Sequence, residues 1–147
     1  DPNLVVSPVN SRTSFDSLIA SAKQTLLVTS EEMKDSKIEQ DLVAAAQRGV
    51  KVQVILPAPS SSTASDSNGD GLKLLKKGGV SVREDHHLYM HAKIMIIDGK
   101  TAFVGSENIS AQSLDKNREL GLIIADDNVL QTLQQTFQQD WSGSRAV

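Results

Sequence analysis

His91 and Lys93 stand two residues apart at the head of an apolar run, HAKIMII. On an extended strand that spacing sends both side chains to one face. The run meets Asp98-Gly99, the strongest short-range hairpin signal in the chain, so the backbone is expected to double back there. The returning segment, Thr101 to Gly105, delivers Ser106 and Asn108, again two apart. With a two-residue loop at Asp98-Gly99 or Gly99-Lys100, His91 lies opposite Ser106 or Asn108, and all four polar groups share a face. A three-residue loop would put Glu107 opposite His91 and scatter them. The register decides between them.

The groups themselves suggest a chemistry. An imidazole can act as nucleophile or general acid and base, an ammonium supplies fixed positive charge, and Ser and Asn add neutral donors. Together they suit an anion whose charge shifts during reaction, above all a phosphoryl group. The chain has no cysteine, and no nearby carboxylate pair completes a metal site, so neither metal nor cofactor is expected. His86 and His87 beside Asp85 follow no metal-ligand spacing and read as solvated surface, or at most a substrate rim.

Other residues carry plainer readings. Asp98 before glycine is what a tight turn wants, and it is read as structural support for the hairpin. Gly105 permits close backbone approach. Lys93 should face a pocket or a partner anion, because an unpaired buried ammonium is expensive. Glu119, at the start of a strand, would pair with Arg118 or Lys116. Glu31 and Glu32 read as exposed strand-end charges, with a place in the pocket as the lesser alternative.

At these positions the sequence resembles the phospholipase D superfamily. His91-Ala92-Lys93 followed by Asp98 fits its H-x-K-x4-D motif, Gly105-Ser106-Glu107-Asn108 fits the G-S-x-N beyond it, and Arg118-Glu119 matches a later acidic position. The likeness is sharpest over residues 86–125 and extends weakly over nearly the whole chain. It implies a metal-independent phosphodiesterase in which two HKD elements meet across a twofold or pseudo-twofold axis. One histidine attacks phosphorus to form a phosphohistidine; the other protonates the leaving alcohol and then activates water or another alcohol. Carried onto this chain, His91 is nucleophile or general acid, Lys93 and Asn108 bind phosphate, and Ser106 adds a hydrogen bond. Glu119 would orient an imidazole, its own or a partner's.

One HKD copy is half a site. It would be completed by a second HKD domain in the same protein or by a homodimer partner. The opening NLVVSPVNSR resembles the start of a C-terminal half in bacterial two-repeat members. A start at Asp1-Pro2 without Met is read as a processed product or an excised piece. Phospholipid is the leading substrate class and DNA or RNA the alternative within the superfamily. A non-catalytic module that keeps the phosphate pocket for binding or assembly is the reading from another class.

Bulk properties bound these readings. At 147 residues the chain is long enough for one domain with a real core. A net charge of −3 argues against a general nucleic-acid coat. Aromatic content of 3% argues against a deeply inserting membrane surface. No apolar run reaches the roughly 18–20 residues needed to cross a bilayer, and the composition is that of a soluble protein whose compartment is unreadable.

Strands are expected at Leu4–Val6, Thr25–Thr29, Val50–Leu56, Val80–Val82, on both sides of Asp98-Gly99, and at Glu119–Ala125. Helices should run from Ser11 to about Lys23, from Asp35 or Ser36 to Gly49, through Leu72–Leu75, and from Asp126 or Asp127 to Trp141. Residues 60–70, rich in Ser, Asp, Asn and Gly, are expected to form a mobile surface loop. The alternation predicts an α/β fold: a mixed, mostly parallel sheet with helices on both faces.

Overall fold

The apolar runs become strands and the amphipathic stretches become helices. In chain order they are β1 (Leu4–Ser7), α1 (Ser11–Ser21), β2 (Thr25–Thr29), β3 (Met33–Lys34), α2 (Ser36–Gln47), β4 (Lys51–Pro57), α3 (Gly69–Lys77) and β5 (Ser81–Asp85). There follow β6 (Ile94–Ile97), β7 (Thr101–Gly105), β8 (Ile109–Ser110), a π-helical turn (Gln112–Lys116), β9 (Glu119–Ile124), α4 (Asp127–Gly143) and β10 (Arg145–Ala146). The structure, a computed structural model, describes residues 1–59 and 68–147. Residues 60–67 of the expected loop lie outside the described residues; the rest of that stretch leads directly into α3, which begins at Gly69.

The strands form an eight-stranded sheet in the order β1-β9-β7-β6-β2-β4-β5-β10. The sheet is mixed, as expected, but it is not mostly parallel. Only β2–β4 and β4–β5 pair in parallel, whereas β1–β9, β9–β7, β7–β6, β6–β2 and β5–β10 are antiparallel. The cause is the connections: parallel neighbours need a crossover such as α2 or α3, whereas β6 and β7 are joined by a tight turn.

Helices lie on both faces, as the alternation predicts. Phe15, Leu18 and Ile19 of α1, Ile38 and Leu42 of α2 and Leu75 of α3 share one buried cluster with Val28, Val54, Met95 and Phe103 of the sheet. Leu130 and Phe137 of α4 share the other with Leu27, Ile55, Ile96 and Ala102. The helix ends follow local chemistry. The Asp35 carboxylate accepts a hydrogen bond from the Ile38 amide at 3.0 Å, capping α2. Gly49, with φ of 95°, makes the left-handed exit that an L side chain resists.

Two short ladders lie outside the expected set. β10 extends the β5 edge. β3 and β8 pair in parallel through Met33–Ile109 and Lys34–Ser110, binding the segment after β2 to the segment after β7. That second ladder shapes the site.

Candidate active site

The hairpin turn takes the three-residue alternative. Ile97 pairs with Thr101 and Ile94 with Val104, so the loop is the three residues Asp98, Gly99 and Lys100. Asp98 adopts φ of 55° and Gly99 φ of 67°. Length is set from outside the hairpin: the Asp98 carboxylate accepts the backbone amides of Lys23, Gln24 and Thr25 at 2.7–3.1 Å. Partial burial pushes its pKa up, but these amides outweigh it and hold the group below the usual carboxylate range. Asp98 thus ties the hairpin to the turn between α1 and β2.

Extended past the strands, this register would set His91 against Glu107. The pairing stops first. β6 begins at Ile94, so His91 and Lys93 lie on an extended lead-in, not within the strand. The last link is the Gly105 amide donating to the Lys93 carbonyl at 3.3 Å. Beyond it residues 106–108 leave the ladder, Glu107 turns into the core, and Ser106 stays exposed. His91, Lys93 and Ser106 consequently line one groove of about 340 Å³, together with Ile94, Val104 and Gly105.

Within the groove the imidazole is open and the ammonium is not. The His91 side chain is 70% exposed and that of Lys93 8%. Lys93 Nζ donates to the His91 carbonyl at 2.7 Å and lies 3.1 Å from Nδ1 and 3.2 Å from Nε2 of the same ring. The burial that a lone ammonium would resist is met by these contacts and by a carboxylate, Glu31, whose Oε1 is 3.7 Å from Nζ.

Glu31 is the residue the sequence reading set aside. It is not a free strand-end charge. Its Oε1 lies 3.4 Å from His91 Nε2 and accepts from Asn108 Nδ2 at 3.5 Å, while Oε2 accepts from the Tyr89 hydroxyl at 2.8 Å. Burial raises its pKa, but Tyr89, His91, Lys93 and Asn108 together hold it below the ordinary value. Its backbone is fixed too: Asn68 Nδ2 donates to the Glu31 carbonyl at 2.8 Å and Asn68 Oδ1 accepts from the Met33 amide at 2.9 Å. The available sequence signal was its position just after β2, at the end of the parallel strands where open sheets present their sites.

Asn108 therefore joins the cluster through Glu31, and Ser106 joins it through the groove and through Glu119. Ser106 Oγ donates to Glu119 Oε1 at 2.9 Å, Ser113 Oγ to Oε2 at 2.5 Å, and Asn117 Nδ2 to Oε2 at 3.3 Å. Burial works against ionisation there, but the Ser113, Ser106 and Asn117 hydrogen bonds and the Lys93 charge keep the Glu119 pKa low. Among the described residues, the carboxylate at the His91 ring is Glu31, and Glu119 is held by hydroxyls and an amide. Arg118 reaches elsewhere, donating to the Ser7 carbonyl at 3.2 Å.

Glu107 is the second residue the sequence reading passed over. It is 1% exposed, and neither carboxylate oxygen has a hydrogen-bond partner among the described residues. Burial, reinforced by the Glu119 charge and only partly offset by the nearby backbone amides, raises its pKa to about 6. Gly105 and Gly121, paired across β7 and β9, make room for it. A Cβ on Gly105 would lie 2.5 Å from Glu107 Oε2 and 2.6 Å from Gly121 Cα. His86 and His87 are exposed, and Asp85 accepts the His87 and Leu88 amides, a turn and not a ligand cluster.

Comparison with known proteins agrees with this geometry. Residues 15–141 match the sequence family described as cardiolipin synthase, PLD-like domain. A mitochondrial cardiolipin hydrolase from Canis lupus familiaris is 38% identical over 96 residues, covering 65% of this chain and 36% of that protein. A probable cardiolipin synthase, YwiE, from Bacillus subtilis is 32% identical over 133 residues, covering 88% of this chain and 26% of that protein. The chain thus spans about a third or less of these relatives. Among solved structures, the phospholipase D family member Nuc from Salmonella typhimurium superposes with a TM-score of 0.89 at 24% identity, over 98% of this chain and 95% of that one. NucT from Helicobacter pylori gives 0.82 at 25% identity, over 98% and 97%. With a family match running from within α1 to Trp141 near the end of α4 and a fold shared almost end to end, the chain belongs to the phospholipase D superfamily, as a PLD-like domain.

Proposed function

We propose that this chain forms half of a metal-independent phosphodiesterase site of the phospholipase D type, acting on phosphatidyl groups through a phosphohistidine. The observation that carries the reading is an open imidazole backed by a buried ammonium and sharing one groove with Ser106, at the end of the parallel strands, with Asn108 reaching the same cluster through Glu31. In the reaction a His91 ring nitrogen attacks phosphorus and the bond to the leaving oxygen breaks. The imidazole of the second half gives its proton to that oxygen. It then takes a proton from water or an acceptor alcohol, whose oxygen displaces His91 from phosphorus. Lys93 and Asn108 hold the non-bridging oxygens as charge moves through the transition state, and Ser106 adds a hydrogen bond by turning its hydroxyl proton from Glu119 to the phosphoryl group.

An exposed apolar strip supports the docking of a second half. The face of the sheet that α4 covers as far as Ala102 of β7 continues over Val104, β9 and β1, where no helix among the described residues packs on it. Leu4, Leu122 and Val104 are aligned there in one row leading to Ile94 at the groove. Leu120 is 56%, Leu122 52% and Leu4 40% exposed. This apolar strip suits a second HKD half, contributed by the same protein or by a second chain. Phosphatidyl substrates are supported by the names of the relatives, a cardiolipin hydrolase and a probable cardiolipin synthase, and by the net charge of −3, which does not favour a nucleic acid.

The test incubates the protein in chelator with a fluorogenic phosphodiester, with short-chain phosphatidylcholine and cardiolipin, and with plasmid DNA, using His91→Ala as control and following mass in solution. Lipid turnover that His91→Ala abolishes is the expected result. Cleavage of DNA alone would move the chain to the nuclease reading. Phosphate binding without turnover in any assembly would leave a binding module.

A further inference from the structure

Glu31 places a negative charge where the proposed reaction needs an anion to arrive. The nucleophile His91 and the two groups assigned to the phosphoryl oxygens all face one carboxylate oxygen: Oε1 is 3.4 Å from His91 Nε2, 3.5 Å from Asn108 Nδ2 and 3.7 Å from Lys93 Nζ. An oxyanion bound to those donors would occupy the same space. The geometry points to Glu31 as a resident counter-anion that fills the phosphate position in the empty site and must swing aside when a phosphodiester binds. This rests on the phosphodiesterase reading and adds a residue that sets how tightly the site takes its substrate.

Two features make the carboxylate a displaceable occupant and not a fixed part of the wall. Its contacts to the three donors are all at or beyond 3.4 Å, long for charge-assisted hydrogen bonds. Among the described residues its one short contact, 2.8 Å from the Tyr89 hydroxyl to Oε2, comes from an exposed residue at the rim. The main chain stays in place, because Asn68 holds the Glu31 carbonyl and the Met33 amide and β3 is laddered to β8. Clearing the site is therefore a rotation of one side chain. While Glu31 is seated, the unoccupied site keeps its cations paired. The cost is affinity, since an anion binds only the fraction of molecules in which the carboxylate has left.

The experiment titrates inorganic phosphate into the wild-type chain, Glu31→Gln and Tyr89→Phe by calorimetry. The imidazole resonance of His91, assigned by its loss in His91→Ala, reports where the phosphate binds. If the seated carboxylate leaves about one molecule in ten open, Glu31→Gln binds phosphate about tenfold tighter. Tyr89→Phe, which loosens the seat, moves the same way by a few-fold, and the His91 resonance shifts in both. With a fluorogenic diester, KM falls in Glu31→Gln by more than kcat changes. Unchanged or weaker phosphate binding in both variants overturns the inference, as does tighter binding that leaves the His91 resonance unmoved. A kcat collapse in Glu31→Gln at unchanged phosphate affinity also overturns it, making the residue part of the chemical step. Should Glu31→Gln fail to fold by circular dichroism, Tyr89→Phe decides alone. Tightened phosphate binding with no turnover by any form would sink the phosphodiesterase reading and keep the counter-anion.

Discussion

The two ends of the β6–β7 hairpin are built on opposite principles. At the turn, Asp98 is fixed by three backbone amides at 2.7–3.1 Å. At the open end, His91 is 70% exposed, and its contact to Glu31 is 3.4 Å. One end is locked and sets the frame; the other is loose, which is what the proposed reaction asks of a group that must meet a substrate. The H-x-K-x4-D spacing thus joins residues doing different work. His91 and Lys93 face the groove, whereas Asp98 anchors the hairpin that presents them to the α1–β2 turn.

The largest effect that would sharpen this contrast is chemical. His91→Ala should remove phosphodiester turnover by at least about 10³-fold, the scale of losing a nucleophile or its acid–base partner. The melting temperature should barely move, since the ring is mostly in solvent and carries no core packing. Asp98→Ala should do the reverse, costing about 2–3 kcal/mol of stability by stranding amides that a charged acceptor now satisfies, with turnover per folded molecule largely kept. Asp98→Asn should fall between the wild type and Asp98→Ala in stability, because Asn tolerates the left-handed turn and keeps one acceptor oxygen. Loss of turnover in Asp98→Asn without loss of stability would break the comparison.

The sequence exposed the lock and the groove but not how they are connected. Apolar runs on both sides of Asp98-Gly99 made the hairpin visible, and apolar runs bounded by turns made β2, β4 and β9 visible, since these signals are local. The loop length was not local. It depends on where the Asp98 carboxylate finds amides, and those belong to Lys23, Gln24 and Thr25. The parallel share of the sheet was overestimated because alternating helices and strands predict crossovers, while β1, β9 and β10 add antiparallel edges through long-range pairing. Glu31 was legible as a charge after a strand, with a place in the pocket only as the lesser alternative. Its approach to His91 requires the β3–β8 ladder and Asn68, contacts no spacing rule reports. Glu107 was noticed only as the residue a three-residue loop would bring opposite His91. Such a loop formed, but the pairing ended before it could put Glu107 there.

The two ends should also answer pH with opposite signs. Asp98 has a depressed pKa when folded, so its contribution is fully present above the ordinary carboxylate value of about 4 and is lost as pH falls through the lowered one. Glu107 has a raised one, about 6 against 4.5. The folded state then holds a proton that the unfolded chain has released, and stability falls as pH climbs from about 4.5 through 6, levelling off above. A shift of that size corresponds to about 2 kcal/mol, undiminished by solvent for a side chain that is 1% exposed. Denaturant unfolding of the wild type and Glu107→Gln at pH 4.5 and pH 7 isolates it. The amide substitution carries a burial cost that does not change with pH, so the difference between the two proteins should shift by about 2 kcal/mol in favour of the variant at the higher pH. A parallel pair of pH profiles would mean that Glu107 ionises without resistance, through water or Lys93 reaching it. The open end of the hairpin would then be wetter, and less distinct from the turn, than its packing between Gly105 and Gly121 implies.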